Sequence, residues 1–114
     1  MRRYELGEVI AEQEFEVVRL DGTKARVVVR LGRPSREGGS PEGDWMCTYQ
    51  IAGIGEGRVK AAFGLDGMHS LSLALHLFPV ELSALVEKEA ATLRYLGQEP
   101  VFFGGPCRTL LRST

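Results

Sequence analysis

Apolar and polar residues alternate along the first two thirds of the chain, then recur every three or four positions from about Gly67 to Lys88. Alternation is the period of a strand with one wet face; the longer spacing is that of an amphipathic helix. Tyr4, Leu6 and Val9 or Ile10 belong to a first strand, with Gly7 as a bulge or bend. Phe15 and Val17 then alternate with Glu14, Glu16 and Arg19. After Asp21-Gly22 the set Ala25, Val27, Val29 and Leu31 alternates with Lys24, Arg26 and Arg30. A two-residue turn would pair Phe15 with Val28 and Val17 with Arg26, which mixes the faces. A three-residue loop, Asp21-Gly22-Thr23, pairs Val17 with Val27 and Phe15 with Val29, so this register is expected.

The segment from Gly32 to Asp44 has no large apolar residue and reads as a mobile surface loop, 32–44. Beyond it, Trp45, Cys47, Tyr49 and Ile51 share one strand face, and Met46, Thr48, Gln50 and Ala52 the other. A Gly-rich turn, 53–57, joins this strand to Val59, Ala61 and Phe63, which alternate with Arg58, Lys60 and Ala62. Asp66 is the N-cap residue of the helix that follows. At about 100° per residue, Met68, Leu71, Ala74, Leu75, Phe78, Leu82, Leu85 and Val86 fall on one arc. The stripe keeps phase through Pro79, which predicts one helix over 67–88 with a kink there. Thr92–Gly97 reads as a short strand or extended segment, and 106–114 as a loose tail. The expected fold is α+β, an antiparallel sheet of four to five strands with one long C-terminal amphipathic helix packed on one face. Its core should set Trp45, Tyr49 and Ile51, or Val59, Ala61 and Phe63, against Leu71, Leu75, Phe78 and Leu82.

The helix carries two further stripes. His69, Ser72 and His76 lie together opposite the core arc, a polar stripe that is also the candidate ligand-binding face. The histidines are seven residues apart, which separates them by about 10 Å along the axis, too far to share a metal ion. Leu73, Leu77 and Val80, with Ala84 beside them, form a second apolar strip that a sheet on the core arc cannot reach. Either the apolar segment Val101-Phe102-Phe103 covers it or a partner does; the residues leave both open.

Composition narrows the class. With 114 residues, 44% hydrophobic and 25% charged, residues 1–114 form a single domain. A net charge of -1 and a pI near 6.1 give no reason to expect nucleic acid as a partner. The N-terminal basic residues have no apolar stretch behind them, so no secretory signal is read, and no apolar run approaches a membrane span. A cytoplasmic location follows, with Cys47 and Cys107 as reduced thiols, although a disulfide between them stays open. Cys47, between Trp45 and Tyr49, has the setting of a buried, inert thiol. No nucleophile elbow, Cys-x-x-Cys pair or dinucleotide fingerprint occurs. The chain thus offers no catalytic, metal or cofactor-binding residues to name. The favoured reading is a small non-catalytic interaction or regulatory protein, binding a protein partner or forming a homodimer. The alternative is a small-ligand binder or enzyme that uses a pocket between sheet and helix, with Tyr49, His69 or Cys107 contributing. An enclosed pocket with converging polar groups favours the second, and solid packing the first.

Trp45-x-Cys47-x-Tyr49-x-Ile51-x-Gly53, the run Ala62-Phe63-Gly64-Leu65-Asp66, and Leu71-x-Leu73-Ala74-Leu75 resemble a family of small bacterial proteins known only as a domain of unknown function. A Leu93-x-x-Leu96-Gly97 segment fits the same pattern. The resemblance covers residues 5–105 and departs from the usual pattern at His69 and at Pro79. It implies an architecture and brings no activity.

Overall fold

Phe15 and Val17 alternate with acids along a ten-residue strand, and this strand organises the sheet. A computed structural model describes residues 3–100. They form strands β1 (Val9–Val18), β2 (Lys24–Gly32), β3 (Ser35–Arg36), β4 (Trp45–Ala52), β5 (Val59–Gly64) and β6 (Thr92–Arg94), with helix α1 (Gly67–Lys88) between β5 and β6. All ladders of the six-stranded sheet are antiparallel. Gln50 pairs with Arg30 on one side and Val59 on the other, while Met46 pairs with Ser35 and Phe63. Strand β3 therefore extends the β2 side of β4, and the lateral order is β5-β4-β2-β1-β6. The architecture is α+β with the helix across one face, but α1 lies mid-chain, because β6 follows it and closes on β1.

Several local expectations change. Tyr4 and Leu6 form no strand; a bend at Glu8 precedes β1. They lie instead across the sheet face away from the helix, where the Tyr4 ring meets Phe63 edge-on at 6.0 Å. There the Thr48 hydroxyl donates to the Leu6 carbonyl at 2.9 Å. The β1–β2 register pairs Phe15 with Val27 and Val17 with Ala25, two residues from the expected one. The loop does have three residues, but they are Leu20, Asp21 and Gly22, closed by Arg19 N–H donating to the Thr23 carbonyl at 2.8 Å. Gly22, at φ 88°, takes the left-handed third position of that loop. The Asp21 carboxylate holds it there by accepting from the Thr23 amide at 2.9 Å and hydroxyl at 2.6 Å. A shift of two preserves parity, so each side chain keeps its face.

Segment 32–44, read from sequence as a loop, carries β3 and a 3-10 turn at Glu37–Gly39. Its Arg36 guanidinium lies 5.1 Å from the centre of the Trp45 ring and donates to the Gly43 carbonyl at 3.2 Å. In β5 the helix-facing residues are Lys60 and Ala62, which pair with Tyr49 and Cys47. Val59, Ala61 and Phe63 face the other way, so they do not pack on α1.

The core joins Phe15, Val17, Val27, Val29, Cys47, Tyr49 and Ile51 of the sheet to Ala74, Phe78, Leu82 and Val86 of the helix. Asp66 caps α1 by accepting from the His69 N–H at 2.8 Å. The helix runs unbroken through Pro79, which is itself buried. Met68, assigned to the core arc, is 78% exposed. The first turn presses so closely on β5 that a Cβ at Gly64 would stand 2.5 Å from the Ser70 nitrogen. Only the small Ser70 side chain fits beneath it, and Met68 is turned aside. Over an 18-residue window α1 has a mean hydropathy of 1.3, long and apolar enough to cross a bilayer by length and composition. That corrects the reading that no run approaches a span; here the apolar face of the helix is spent on the sheet.

Candidate functional site

The apolar strip sits on the outward arc of α1. Leu77 is 41% exposed and Val80 51%, and Ala84 is also exposed. Leu73 is half-buried, with part of its side chain against the core. The segment Val101-Phe102-Phe103, its alternative cover, lies outside the described residues, as does the tail 106–114. The strip is thus continuous from a half-buried end to an open middle.

The polar stripe His69, Ser72 and His76 is exposed, and its histidines are engaged by local backbone. His69 Nδ1 accepts from the Leu65 N–H at 2.9 Å, and His76 Nδ1 lies 2.8 Å from the Ser72 carbonyl oxygen. None of the three lines the cleft described below. Among the described residues no group of three His, Cys, Asp or Glu side chains is placed to hold a metal ion.

Sequence reasoning missed a place where polar groups converge between sheet and helix. Lys60 Nζ donates to Glu81 Oε1 at 3.1 Å, tying β5 to α1. Glu81 Oε2 is shielded from solvent and has no hydrogen-bond partner. Tyr49 faces this carboxylate; burial, and then its polar interaction with Glu81, push its pKa upward. The signal was present: Lys60 has the strand parity of Ala62 and the pairing partner Tyr49, and Glu81 lies on the border of the apolar arc. These groups edge a shallow cleft of about 130 Å³, floored by Ile51, Ile54 and Leu85, with Glu56 and Arg58 at its mouth. A site for a metabolite-sized ligand commonly offers about 300–1,000 Å³. A phenol held protonated and an amine held by a carboxylate supply no activated nucleophile. Sheet and helix share a buried core, with this cleft at one edge.

Cys47 is a free, fully buried thiol whose Sγ–H donates to the Gly32 carbonyl at 3.4 Å. Burial pushes its pKa up to about 11, which keeps the thiolate, the reactive form, out of reach. This has a consequence for stability. An unfolded cysteine ionises near 9, so between about pH 9 and 11 the unfolded chain releases a proton that the native chain retains. Stability should therefore be intact below pH 9 and fall by about 2 kcal/mol as pH rises through that window. Urea titrations of the parent and Cys47→Ala at pH 8 and 11 check this. The parent should lose more stability than the variant, and equal losses would mean the thiol is not buried as described.

No curated protein and no solved structure matches the chain. A family model, Domain of unknown function (DUF6968), matches residues 11–106, a span that runs from β1 through α1 and beyond β6. The sheet and the helix just described are thus the body of that domain, and the chain belongs to the DUF6968 family.

Proposed function

We propose that this chain is a non-catalytic binding module, an accessory or regulatory protein that docks a protein partner on the outward strip of α1. One observation carries the reading: Leu77 and Val80 stand exposed side by side on a helix whose opposite face is already buried on the sheet. Clustered apolar surface of this kind is characteristic of contact sites. The packing between the layers supports it from the other direction, since the cleft beside Tyr49 is smaller than a metabolite needs. The expected result is that proteins co-purifying with the parent from its native host, identified by mass spectrometry, are lost with Leu77→Glu and with Val80→Lys. Both variants should keep the parent's far-ultraviolet spectrum, with stability within about 0.5 kcal/mol, as exposed positions allow. Unchanged recovery with both variants would remove the strip from the function.

A further inference from the structure

The geometry points to an extended, uncharged segment of a partner protein that adds as a further strand to the open edge of β5, beneath the strip of α1. This rests on the reading of the strip as a contact surface and deepens it by naming the form of the partner. Strand β5 pairs only with β4 and so forms a lateral edge of the sheet. At the two ends of β2, Arg19 N–H donates to the Thr23 carbonyl and Arg33 N–H to the Glu8 carbonyl, both at 2.8 Å. Odd residues of β2 therefore turn their backbone groups toward β1 and even ones toward β4. Arg30 and Gln50 are then a hydrogen-bonded pair, and the neighbouring residue of β4, Tyr49, bonds Lys60. Lys60, Ala62 and Gly64 spend their N–H and C=O groups on β4, which leaves those of Val59, Ala61 and Phe63 pointing outward. No backbone bond among the described residues reaches them there. A row of unpaired backbone donors and acceptors is a template for another strand.

The strip overhangs the same edge. Helix α1 meets β5 at Ser70, against Gly64, and at Glu81, against Lys60. Both residues stand within about 40° of Leu77 around the helix, so the strip is the next surface outward from β5. From Leu73 to Ala84 it spans about 16 Å, against about 20 Å for the six residues of β5. Side chains of an added strand point alternately toward the helix and away, so about three would lie against the strip. The cleft of about 130 Å³ beside Tyr49 lies at this edge, and its floor of Ile51, Ile54 and Leu85 suits one of those side chains. Charge narrows the composition of the segment. Lys60 pairs with Glu81 and Arg58 with Glu56, so the walls are neutral in pairs and an apolar, uncharged segment fits them. A second β5 fits worse. Reversed about Ala61, it would bring Glu81, tied to Lys60 one residue from the axis, close to its own copy.

Random decapeptides displayed on phage and selected on the parent supply the probe. Selected peptides should alternate apolar with small polar residues and carry no charge on the apolar side. Bound synthetic copies should slow hydrogen exchange at the Val59, Ala61 and Phe63 amides. Methylating the backbone nitrogens of such a peptide one at a time should weaken binding about tenfold at one parity and little at the other, because only alternate amides of an added strand face β5. Ala61→Pro removes the central outward N–H on an edge strand, where proline is tolerated. It should keep the far-ultraviolet spectrum of the parent and weaken binding by about tenfold or more, as should Leu77→Glu.

A selection that yields no binder, or binders indifferent to Ala61→Pro, overturns the proposal. The contact reading then stands if host proteins are still lost with Leu77→Glu, and falls if they are not. Should Ala61→Pro unfold the domain, the methylated peptides decide alone. Binding that is lost with Leu77→Glu yet indifferent to the parity of methylation would mean a segment docked on the strip without β5, which overturns the strand form. Self-association of the parent that Ala61→Pro abolishes would make the occupant a second β5, and that too overturns the partner named.

Discussion

Replacing Leu82 by alanine should lower the free energy of unfolding by about 3–5 kcal/mol. Leu82 is fully buried and lies where the second half of α1 meets the sheet core. Its removal costs the transfer of the lost methyl groups and leaves a void in a core whose β-branched members, Val17 and Val27 among them, rearrange little. A domain of this size is stable by about 5–15 kcal/mol, so a large share goes with one side chain. Denaturant titration should show a lower midpoint at unchanged slope. The informative comparison runs along the same helix. Leu75→Ala, at a half-buried position, should cost less, and Leu77→Ala, on the exposed strip, below about 0.5 kcal/mol. Equal losses at Leu82 and Leu77 would mean that the buried and outward faces of α1 have been exchanged.

The helix was the most legible part of the sequence because three signals agree there. The Asp66 cap, the three-to-four spacing and its unbroken phase through Pro79 all point to Gly67–Lys88, and those are its bounds. The strands were legible in position and less so in facing. Strand β5 alternates, yet both of its faces hold apolar or long aliphatic groups. Val59, Ala61 and Phe63 read as the inner set, but Phe63 meets Tyr4 on the far side. Lys60 faces α1 because its amine reaches Glu81. A charge that reads as a surface marker is, at a layer edge, a stem lying along apolar surface with its head in an ion pair. The Tyr49-Lys60-Glu81 group was missed for the same reason, although the parity of Lys60 and the border position of Glu81 were signals of it. It is assembled from three elements, and nothing in a single segment shows a carboxylate arriving from a helix. The β1–β2 register slipped because periodicity fixes parity only, whereas the choice between registers of equal parity belongs to the turn. There the left-handed Gly22 and the Asp21–Thr23 bonds decide. The apolar strip of α1 was visible as a residue from the helical count, since Leu73, Leu77, Val80 and Ala84 are what remains once the sheet-facing arc is assigned.

Gly53→Ala should destabilise the domain by about 2–4 kcal/mol, through two effects that can be separated. Gly53 follows the last residue of β4 at φ 100°, a conformation that an alanine adopts only under strain. A Cβ there would also overlap the Arg26 carbonyl oxygen and stand 3.2 Å from Val27 Cα. Both obstacles are backbone of β2, the strand next to β4, so no side-chain rotation relieves them. The β2–β4 ladder ends at the Val28–Ala52 pair, and the strands must part there, next to the buried Val27 and Ile51. Gly22→Ala supplies the control. Gly22 has a similar φ of 88°, but a Cβ on it would meet nothing within 4 Å. It therefore reports backbone strain alone, about 1–2 kcal/mol. The difference between the two variants, read from urea midpoints at matched slope, measures how closely β2 approaches the end of β4. If Gly53→Ala cost no more than Gly22→Ala, the strands would have room to spare at this corner, and the close backbone approach described here would be wrong.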